Sequence, residues 1–261
     1  MDLELRGKTA VVTGGNKGIG AAVAAALAAE GVDLALVARD AGQLEDVAGQ
    51  LRGAHGVRVE CFSADLRSPD AVTATWGGIA RAFEHVDILV NNAGATRRGH
   101  FLALTEDDWQ DGYALKLHGY VRMSRAAWPA LQARQGCLIN IVGVGSRVGT
   151  AEFTIGGSVN AALLNLTKAL ADLGRPLGVR VNAVNPGRIA TDRLNHNIDR
   201  IAATDGVDRD TAVGRLLAAA GIERFGKPEE IGSLVAFLAS PRAAFIHGSI
   251  VDADGGETRA L

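Results

Sequence analysis

The first feature of the sequence that could do chemistry is a cluster of glycines directly after an apolar run. Residues 13–20 read Thr-Gly-Gly-Asn-Lys-Gly-Ile-Gly. Glycines at these spacings allow a tight turn and a close approach of the backbone to a phosphate, and the N–H groups that open a following helix attract an anion. The segment therefore predicts a pyrophosphate-binding turn, contacted through Gly14, Asn16, Lys17, Gly18, Ile19 and Gly20.

The end of the second apolar run bears on which dinucleotide would bind. An acidic residue there usually binds the ribose hydroxyls of NAD, but this run ends with alanine and arginine at residues 38 and 39. Arg39, together with Lys17 in the glycine turn, could pair with a 2′-phosphate, since guanidinium groups bind phosphate through two parallel hydrogen bonds. The alternative is that both are solvated surface cations. We predict NADP(H) rather than NAD(H).

The elements that would position this turn alternate along the whole chain. Amphipathic, helix-like segments separate apolar, strand-like runs at residues 8–13, 33–38, 57–62, 86–91, 137–142 and 179–184. Strands flanked by helices on both sides indicate a parallel sheet with right-handed crossovers. The predicted fold is α/β, a doubly wound parallel sheet of the Rossmann type, in one domain over residues 1–261. Residues 192–225 loosen into polar, helix-forming pieces, which we interpret as a small substrate lid.

Composition argues against several classes of protein. Of 261 residues, 48% are hydrophobic and 21% are charged, which is enough for a full core, and the formal net charge of −2 argues against a nucleic-acid binder. Cys61 and Cys137 lie in apolar runs without metal or disulfide spacing, so we expect buried thiols and no bound metal. The apolar stretches are too short to span a membrane, and the chain does not open with a basic-then-apolar leader. We expect a cytoplasmic protein.

Several motifs, in order along the chain, resemble those of the short-chain dehydrogenase/reductase family. Besides the glycine turn they are Asp65 after the third run, Asn-Asn-Ala-Gly at residues 91–94, Asn-Pro-Gly at 185–187 with Thr191, and Asp-Gly-Gly at 254–256. The resemblance implies that Asp65 contacts the adenine, that Asn91 and Gly94 hold the ribose side, and that Ile189 and Thr191 touch the nicotinamide amide. Further cofactor contacts that it implies are Leu66, Ala93, Asn160, Pro186 and Gly187.

The same resemblance implies that the usual catalytic side chains are missing. The family's reductases carry a Tyr-x-x-x-Lys pair, a serine thirteen residues before the tyrosine, and an asparagine on the preceding long helix. With Asn160 at the lysine position, Gly156 stands at the tyrosine position and Gly143 at the serine position, while Lys116 takes the asparagine position. We therefore predict a divergent member, with an enlarged or wetter pocket beside the nicotinamide.

The candidates for a substitute catalytic group are Lys116, Asn160 and Tyr120. The two tyrosines of the chain, Tyr113 and Tyr120, lie three residues before and four residues after Lys116, which puts all three on one face of an unbroken helix. A relocated tyrosine–lysine pair is one hypothesis, and packing of the tyrosines between helices is the other. A histidine or a water molecule is an alternative proton donor.

Cations recur after the predicted strands, where the loops line the mouth of the site. They are Arg97, Arg98, His100, Arg147, Arg188 and Arg193. Their convergence favours an anionic substrate such as a carboxylate, a phosphate or a coenzyme A ester. Glu152 and Asp192 leave open that these cations are simply neutralised or solvated.

The sequence leaves three functions open. The first is an NADP(H)-dependent oxidoreductase that acts on a small carbonyl or alcohol substrate with a rebuilt acid/base group. The second is a non-redox lyase or isomerase on the same fold, and the third is a catalytically silent nucleotide-binding protein. The resemblance also implies a homotetramer or a homodimer, formed through helices near residues 107–133 and 156–173.

Overall fold

The computed structural model describes residues 1–259 and contains a seven-stranded, fully parallel sheet. The strands are β1 (Thr9–Thr13), β2 (Asp33–Ala38), β3 (Val59–Ser63), β4 (Ile88–Asn91), β5 (Cys137–Ile141), β6 (Arg180–Pro186) and β7 (Ile250–Ala253). Their spatial order is β3-β2-β1-β4-β5-β6-β7, so the winding reverses between β1 and β4. That reversal opens a crevice at the carboxyl ends of the strands, where such sheets bind ligands. The predicted doubly wound sheet is confirmed.

Helices cover both faces of the sheet. They are α1 (Gly18–Ala29), α2 (Ala41–His55), α3 (Pro69–Ala82), α4 (Glu106–Gly112), α5 (Gly119–Ala133), α6 (Thr154–Gly174), α7 (Asp192–Asp205), α8 (Arg209–Ala220) and α9 (Pro228–Ala239). Apolar side chains of α1, α2 and α9 pack on one face, and those of α3, α5 and α6 on the other. Strands buried between two helical layers explain why the apolar runs are continuous rather than alternating.

Small residues let α1 and α9 approach each other closely. A Cβ atom at Gly232 in α9 would lie 2.6 Å from the carbonyl oxygen of Ala22 in α1. The alanine-rich sequence of α1 therefore serves packing as well as helix propensity. This contact fixes the helix whose first turn borders the crevice.

The long helix predicted near residues 107–133 is interrupted. Between α4 and α5 the segment Tyr113–His118 is π-helical. A π-helical segment inserts extra residues into a helical path and is often found at functional sites. The predicted shared face of Lys116 and the two tyrosines required an unbroken helix. The helix is interrupted here, so that prediction is wrong.

The segment predicted as a lid is helical. α7 and α8 pack on each other through Leu194, Ile198 and Ala212, with Phe225 against this small cluster. Both cysteines are free, Cys137 buried and Cys61 half-buried. Within residues 1–259, none of the helices has the length and hydropathy needed to cross a bilayer.

Candidate active site

The glycine turn joins the end of β1 to the first turn of α1. Gly14 and Gly18 have φ angles of 68° and 55°, which residues with side chains rarely adopt. A Cβ atom at Gly20 would lie 2.0 Å from the carbonyl oxygen of Gly14, so the turn closes only around glycine. Lys17 precedes α1 without capping it through its side chain, which leaves the first N–H groups of the helix available to an anion.

Two residues outside the predicted set brace this turn. The amide of Asn92 donates to the carbonyl oxygens of Thr13 at 2.9 Å and Gly14 at 3.3 Å. The hydroxyl of Thr13 accepts from the backbone N–H groups of Asn92 at 2.9 Å and Ala93 at 3.0 Å. Asn92 belongs to the Asn-Asn-Ala-Gly motif, but the sequence does not show that its side chain crosses to β1. The side chain of Asn16 instead donates to Gln43 at 2.7 Å.

The other end of the crevice holds Arg39 and Asp65. The carboxylate of Asp65 accepts from the backbone N–H of Arg67 at 3.0 Å and from its guanidinium at 2.9 Å. Burial opposes ionisation of Asp65, but these bonds and the charges of Arg67 and Arg39 lower its pKa on balance. Arg39 and Lys17 are exposed, and Leu66 beside Asp65 is buried. Both cations are therefore accessible to a phosphate from solvent.

The side chain of Asn91 does not face the crevice. It is fully buried and donates to the hydroxyl of Ser124 and the side-chain carbonyl of Asn140, each at 3.0 Å. The sequence could not reveal this orientation, because it depends on register with β5. The side chain of Asn91 is therefore committed to Ser124 and Asn140, and its contact with the ribose side stays a prediction.

The loop after β6 closes on the glycine turn. A Cβ atom at Gly18 would lie 3.4 Å from the methyl carbon of Thr191. Ile189 is buried and pairs with Gly226 in an isolated parallel bridge. Gly187, which follows Pro186, lies so close to Asp254 that a Cβ atom would be 2.7 Å from its side chain. Thr191 thus borders the glycine turn.

Lys116 and Asn160 meet on the other side of the crevice. The ammonium nitrogen Nζ of Lys116 lies 2.7 Å from Oδ1 of Asn160 and 2.6 Å from the carbonyl oxygen of Val142. The π-helical segment supplies the lysine, α6 supplies the asparagine, and the carbonyl follows β5. The lysine stem crosses Gly94, where a Cβ atom would lie 2.9 Å from Cδ. A glycine at this position therefore gives Lys116 its path to Asn160.

The environment of Lys116 alters its acidity. Burial, and secondarily the positive charge of Arg193, lowers the pKa of Lys116 to about 7. A neutral amine has two N–H bonds and an ammonium has three. Both forms can therefore satisfy the two oxygen acceptors, which allows the group to gain and lose a proton at near-neutral pH.

Comparisons with known proteins identify the family. A family profile described as enoyl-(acyl carrier protein) reductase matches residues 14–258. The short-chain reductase protein NovJ of Streptomyces niveus is 34% identical over 248 residues, covering 95% of this chain and 92% of that protein. Acetoacetyl-CoA reductase of Shinella zoogloeoides is 32% identical over 251 residues, covering 96% and 98% respectively. The chain belongs to the short-chain dehydrogenase/reductase family.

A solved structure of this family matches the whole chain. L-sorbose reductase from Gluconobacter frateurii, complexed with NADPH and L-sorbose, superposes with a TM-score of 0.96 at 33% identity, and 100% of both chains is covered. The family membership predicted from the motifs is confirmed.

An aromatic ring fills the space next to Gly156. The enlarged or wetter pocket that the sequence predicted at this position is therefore not present. A Cβ atom at Gly156 would lie 2.1 Å from the ring of Phe153, and one at Gly145 would lie 2.8 Å from it. The ring thus rests on two glycines. The sequence gives no sign of this, because Phe153 folds back onto the first turn of its own helix.

Gly143 has a backbone conformation that disfavours other residues. Its φ angle is 126°, and its N–H donates to the side chain of Asn185 at 3.2 Å. Ser146 donates to the carbonyl oxygen of Gly143 at 2.9 Å. The nearby serine hydroxyl is thus engaged with the backbone.

The two tyrosines do not form a pair with Lys116. Tyr120 is buried, and its hydroxyl donates to the carbonyl oxygen of Ile141 at 2.8 Å. Burial strongly raises the pKa of Tyr120, which makes it a poor proton donor. Tyr113 lies against Trp109, with ring centroids 6.3 Å apart, and lines a cavity that includes His118. These placements favour the packing hypothesis for both tyrosines.

The five arginines among the predicted cations separate into two groups, and His100 is exposed. Three have carboxylate partners: Arg97 with Asp108 at 2.9 Å, Arg147 with Asp252 at 3.2 Å, and Arg188 with Glu257 at 3.1 Å. Arg193 instead donates to the carbonyl oxygen of Gly94, beside the stem of Lys116. Arg98 stacks on the ring of Phe153, with Cζ 3.9 Å from the ring centroid. Arg193 thus lies beside Lys116, and its charge acts on both Lys116 and Arg98.

Proposed function

We propose that this protein is an NADP(H)-dependent reductase of carbonyl compounds in which Lys116 delivers the proton. The observation that carries the proposal is the position of Nζ of Lys116, 2.6 Å from the carbonyl oxygen of Val142 and 2.7 Å from Oδ1 of Asn160. Under the predicted register, a lysine and an asparagine have exchanged places across the site. The site therefore keeps a cationic group, but this group comes from the opposite helix.

The residues of the crevice fit a dinucleotide. The turn at Gly14 and Gly20 is closed to side chains, and the first N–H groups of α1 are open to a pyrophosphate. Arg39 and Lys17 are the groups that would bind a 2′-phosphate, and Thr191 borders the turn from the loop after β6. The sorbose reductase to which this chain is similar was solved with NADPH. When bound, the reduced nicotinamide supplies the hydride.

Lys116 has the donors that a proton-transfer step requires. Two of its N–H bonds are directed to Val142 and Asn160, so the ammonium form has a third for the oxygen of a substrate carbonyl. In the reduction, Nζ of Lys116 would give its third proton to that oxygen, which becomes the hydroxyl of the alcohol. The neutral amine left behind still satisfies both acceptors. A pKa of about 7 lets the same group be reprotonated from solvent near neutral pH.

We further propose that the substrate is anionic and that residues 192–225 cover it. α7 contributes Arg193 and Arg200, so the covering segment itself carries positive charge toward the site. Association into a homotetramer or a homodimer stays a prediction.

The test combines nucleotide binding with turnover. NADPH and NADH are titrated, and NADPH oxidation is then followed with acetoacetyl-CoA, L-sorbose and levulinate. Lys116→Met should reduce turnover roughly 10²–10⁴-fold, the usual contribution of a general acid, while NADPH affinity changes less than about three-fold. Lys168→Met, on the exposed side of α6, is the matched control.

Three outcomes would redirect the assignment. Equal turnover by the two lysine variants would remove Lys116 from the chemistry. Turnover that is indifferent to nucleotide would favour the non-redox lyase or isomerase. Tight NADPH binding without oxidation, across all carbonyl compounds tried, would favour a silent nucleotide-binding protein.

A further inference from the structure

The ring of Phe153 forms a platform at the mouth of the site. The ring contacts Gly145 and Gly156, where Cβ atoms would lie 2.8 Å and 2.1 Å from it. The guanidinium of Arg98 covers the ring, with Cζ 3.9 Å from its centroid. Stacking on an aromatic ring orients a guanidinium and leaves its N–H edges free for another ligand.

The two loops that carry this pair are joined. The backbone N–H of Gly99, next to Arg98, donates to the carbonyl oxygen of Glu152, next to Phe153, at 3.1 Å. Phe153 also accepts from the N–H of Gly157 at 2.7 Å as α6 begins. Arg98 is therefore positioned by the backbone bond of its neighbour Gly99 and by its own guanidinium, which lowers the conformational entropy lost when a ligand binds.

The charges around Arg98 are poorly compensated. Partial burial, and then the charges of Arg188, Arg193 and Arg200, lowers the pKa of Arg98, and the negative charge of Glu152 offsets this shift only in part. Arg188 is paired with Glu257 at 3.1 Å, and Arg200 approaches Glu152 only to 3.9 Å. Within residues 1–259, the ion pairs include no carboxylate within 4.0 Å of Arg98 or Arg193. The repulsion between Arg98 and Arg193 opposes folding, and an anion bound between the two guanidinium groups would reduce it.

We propose that Arg98, stacked on Phe153 and assisted by Arg193, binds the carboxylate or phosphate monoester of an anionic carbonyl substrate. Arg193 lies beside Gly94 and the stem of Lys116, so an anion between the two arginines leaves the carbonyl of the same molecule near Nζ of Lys116. The substrate class is thus a small oxo acid or a phosphorylated ketone. The inference that the ligand carries a carbonyl group rests on the proposed function, whereas the inference that the site binds an anion does not.

Matched substrate pairs test the assignment. The first pair is levulinate and methyl levulinate, and the second is dihydroxyacetone phosphate and dihydroxyacetone. Arg98→Gln should reduce kcat/KM for the preferred anion about ten-fold or more, as expected for loss of a charge-assisted pair, and should change the neutral partner less than about three-fold. Phe153→Leu should give a weaker loss of about two- to five-fold. The pair that responds identifies carboxylate or phosphate.

The control is Arg97→Gln, because Arg97 adjoins Arg98 and already has Asp108 as its partner. Calorimetric binding of levulinate and dihydroxyacetone phosphate to the NADP-saturated protein provides a readout without turnover. If these anions bind in a way that depends on Arg98 but the protein never oxidises NADPH, the anion site is supported and the reductase assignment fails. The proposal would be overturned if kcat/KM fell equally in the two arginine variants, or if it fell equally for both members of each substrate pair. A matching loss of NADPH affinity would also overturn it.

Discussion

The glycine turn and the Lys116 pair lie on opposite sides of one crevice and are built in different ways. The turn is set by eight consecutive residues whose backbone angles and lack of side chains determine its shape. The lysine pair is assembled from the loop after β4, a π-helical segment, the end of β5 and α6. The proposed nucleotide site is made largely of backbone, so a short motif is enough to preserve it. The proposed reaction end depends on side chains from several elements, so a few substitutions are enough to change it.

The largest effect should come from a side chain in the turn. Gly20→Val should lower NADPH affinity more than about 100-fold, since even a Cβ atom would lie 2.0 Å from the carbonyl oxygen of Gly14. Fluorescence titration measures the loss. Gly49→Ala is the control, because a Cβ atom there meets nothing within 4 Å. Nearly normal binding by Gly20→Val would mean that the turn does not hold the nucleotide.

The acidity of Lys116 should appear in the pH dependence of reduction. With a pKa of about 7, the ammonium form falls ten-fold for each pH unit above that value, so kcat for reduction should fall likewise. NADPH affinity, measured in parallel, should stay level. A flat kcat profile from about pH 6 to pH 9 would contradict the role of the ammonium.

The same shift predicts how stability depends on pH. A lysine whose pKa falls from 10.5 to about 7 on folding binds fewer protons in the folded state between those values. Stability should therefore rise with pH across that window, and the penalty is fully present below about pH 7. Urea unfolding of wild type and Lys116→Met at several pH values measures it. Lys116→Met should be more stable than the wild type at low pH. Its free energy of unfolding should no longer rise with pH between about 7 and 10.5.

Packing at the reaction end can be tested with a double-mutant cycle. Gly156→Ala improves helix propensity by about 1 kcal/mol but places a Cβ atom 2.1 Å from the ring of Phe153. It should destabilise the wild type, yet stabilise a protein that already carries Phe153→Ala. The coupling energy should be roughly 1–3 kcal/mol by urea unfolding. Additive effects would show that the ring does not occupy this space.

The smallest effect concerns the choice of nucleotide. Arg39→Gln should lower the preference for NADPH over NADH by about five- to ten-fold, because an exposed guanidinium contributes modestly to a phosphate contact. Arg81→Gln, exposed on α3, is the control for loss of one positive charge. An unchanged ratio of the two dissociation constants would assign the 2′-phosphate to other groups.

The sequence predicted those features that local patterns determine. Apolar runs indicated the strands, and glycine spacing indicated the turn between β1 and α1. Counting residues brought Lys116 and Asn160 to the same region, where they are 2.7 Å apart.

Features that depend on distant contacts could not be read in this way. The fold of Phe153 onto Gly156, the inward orientation of Asn91 and the π-helical segment are decided by packing between elements. The sequence did not distinguish the arginines from one another, but carboxylates from other segments of the chain neutralise three of them. The spatial partner of a charged side chain is not a local property of the chain.

The position of Arg193 links a surface helix to the acid strength of a residue on another element. Arg193 belongs to α7, reaches the carbonyl oxygen of Gly94 and contributes to the lowered pKa of Lys116. Withdrawal of α7 would remove that charge and make the lysine hold its proton more firmly. If residues 192–225 act as the proposed lid, closure of α7 and the lowered pKa of Lys116 would be coupled through the charge of Arg193.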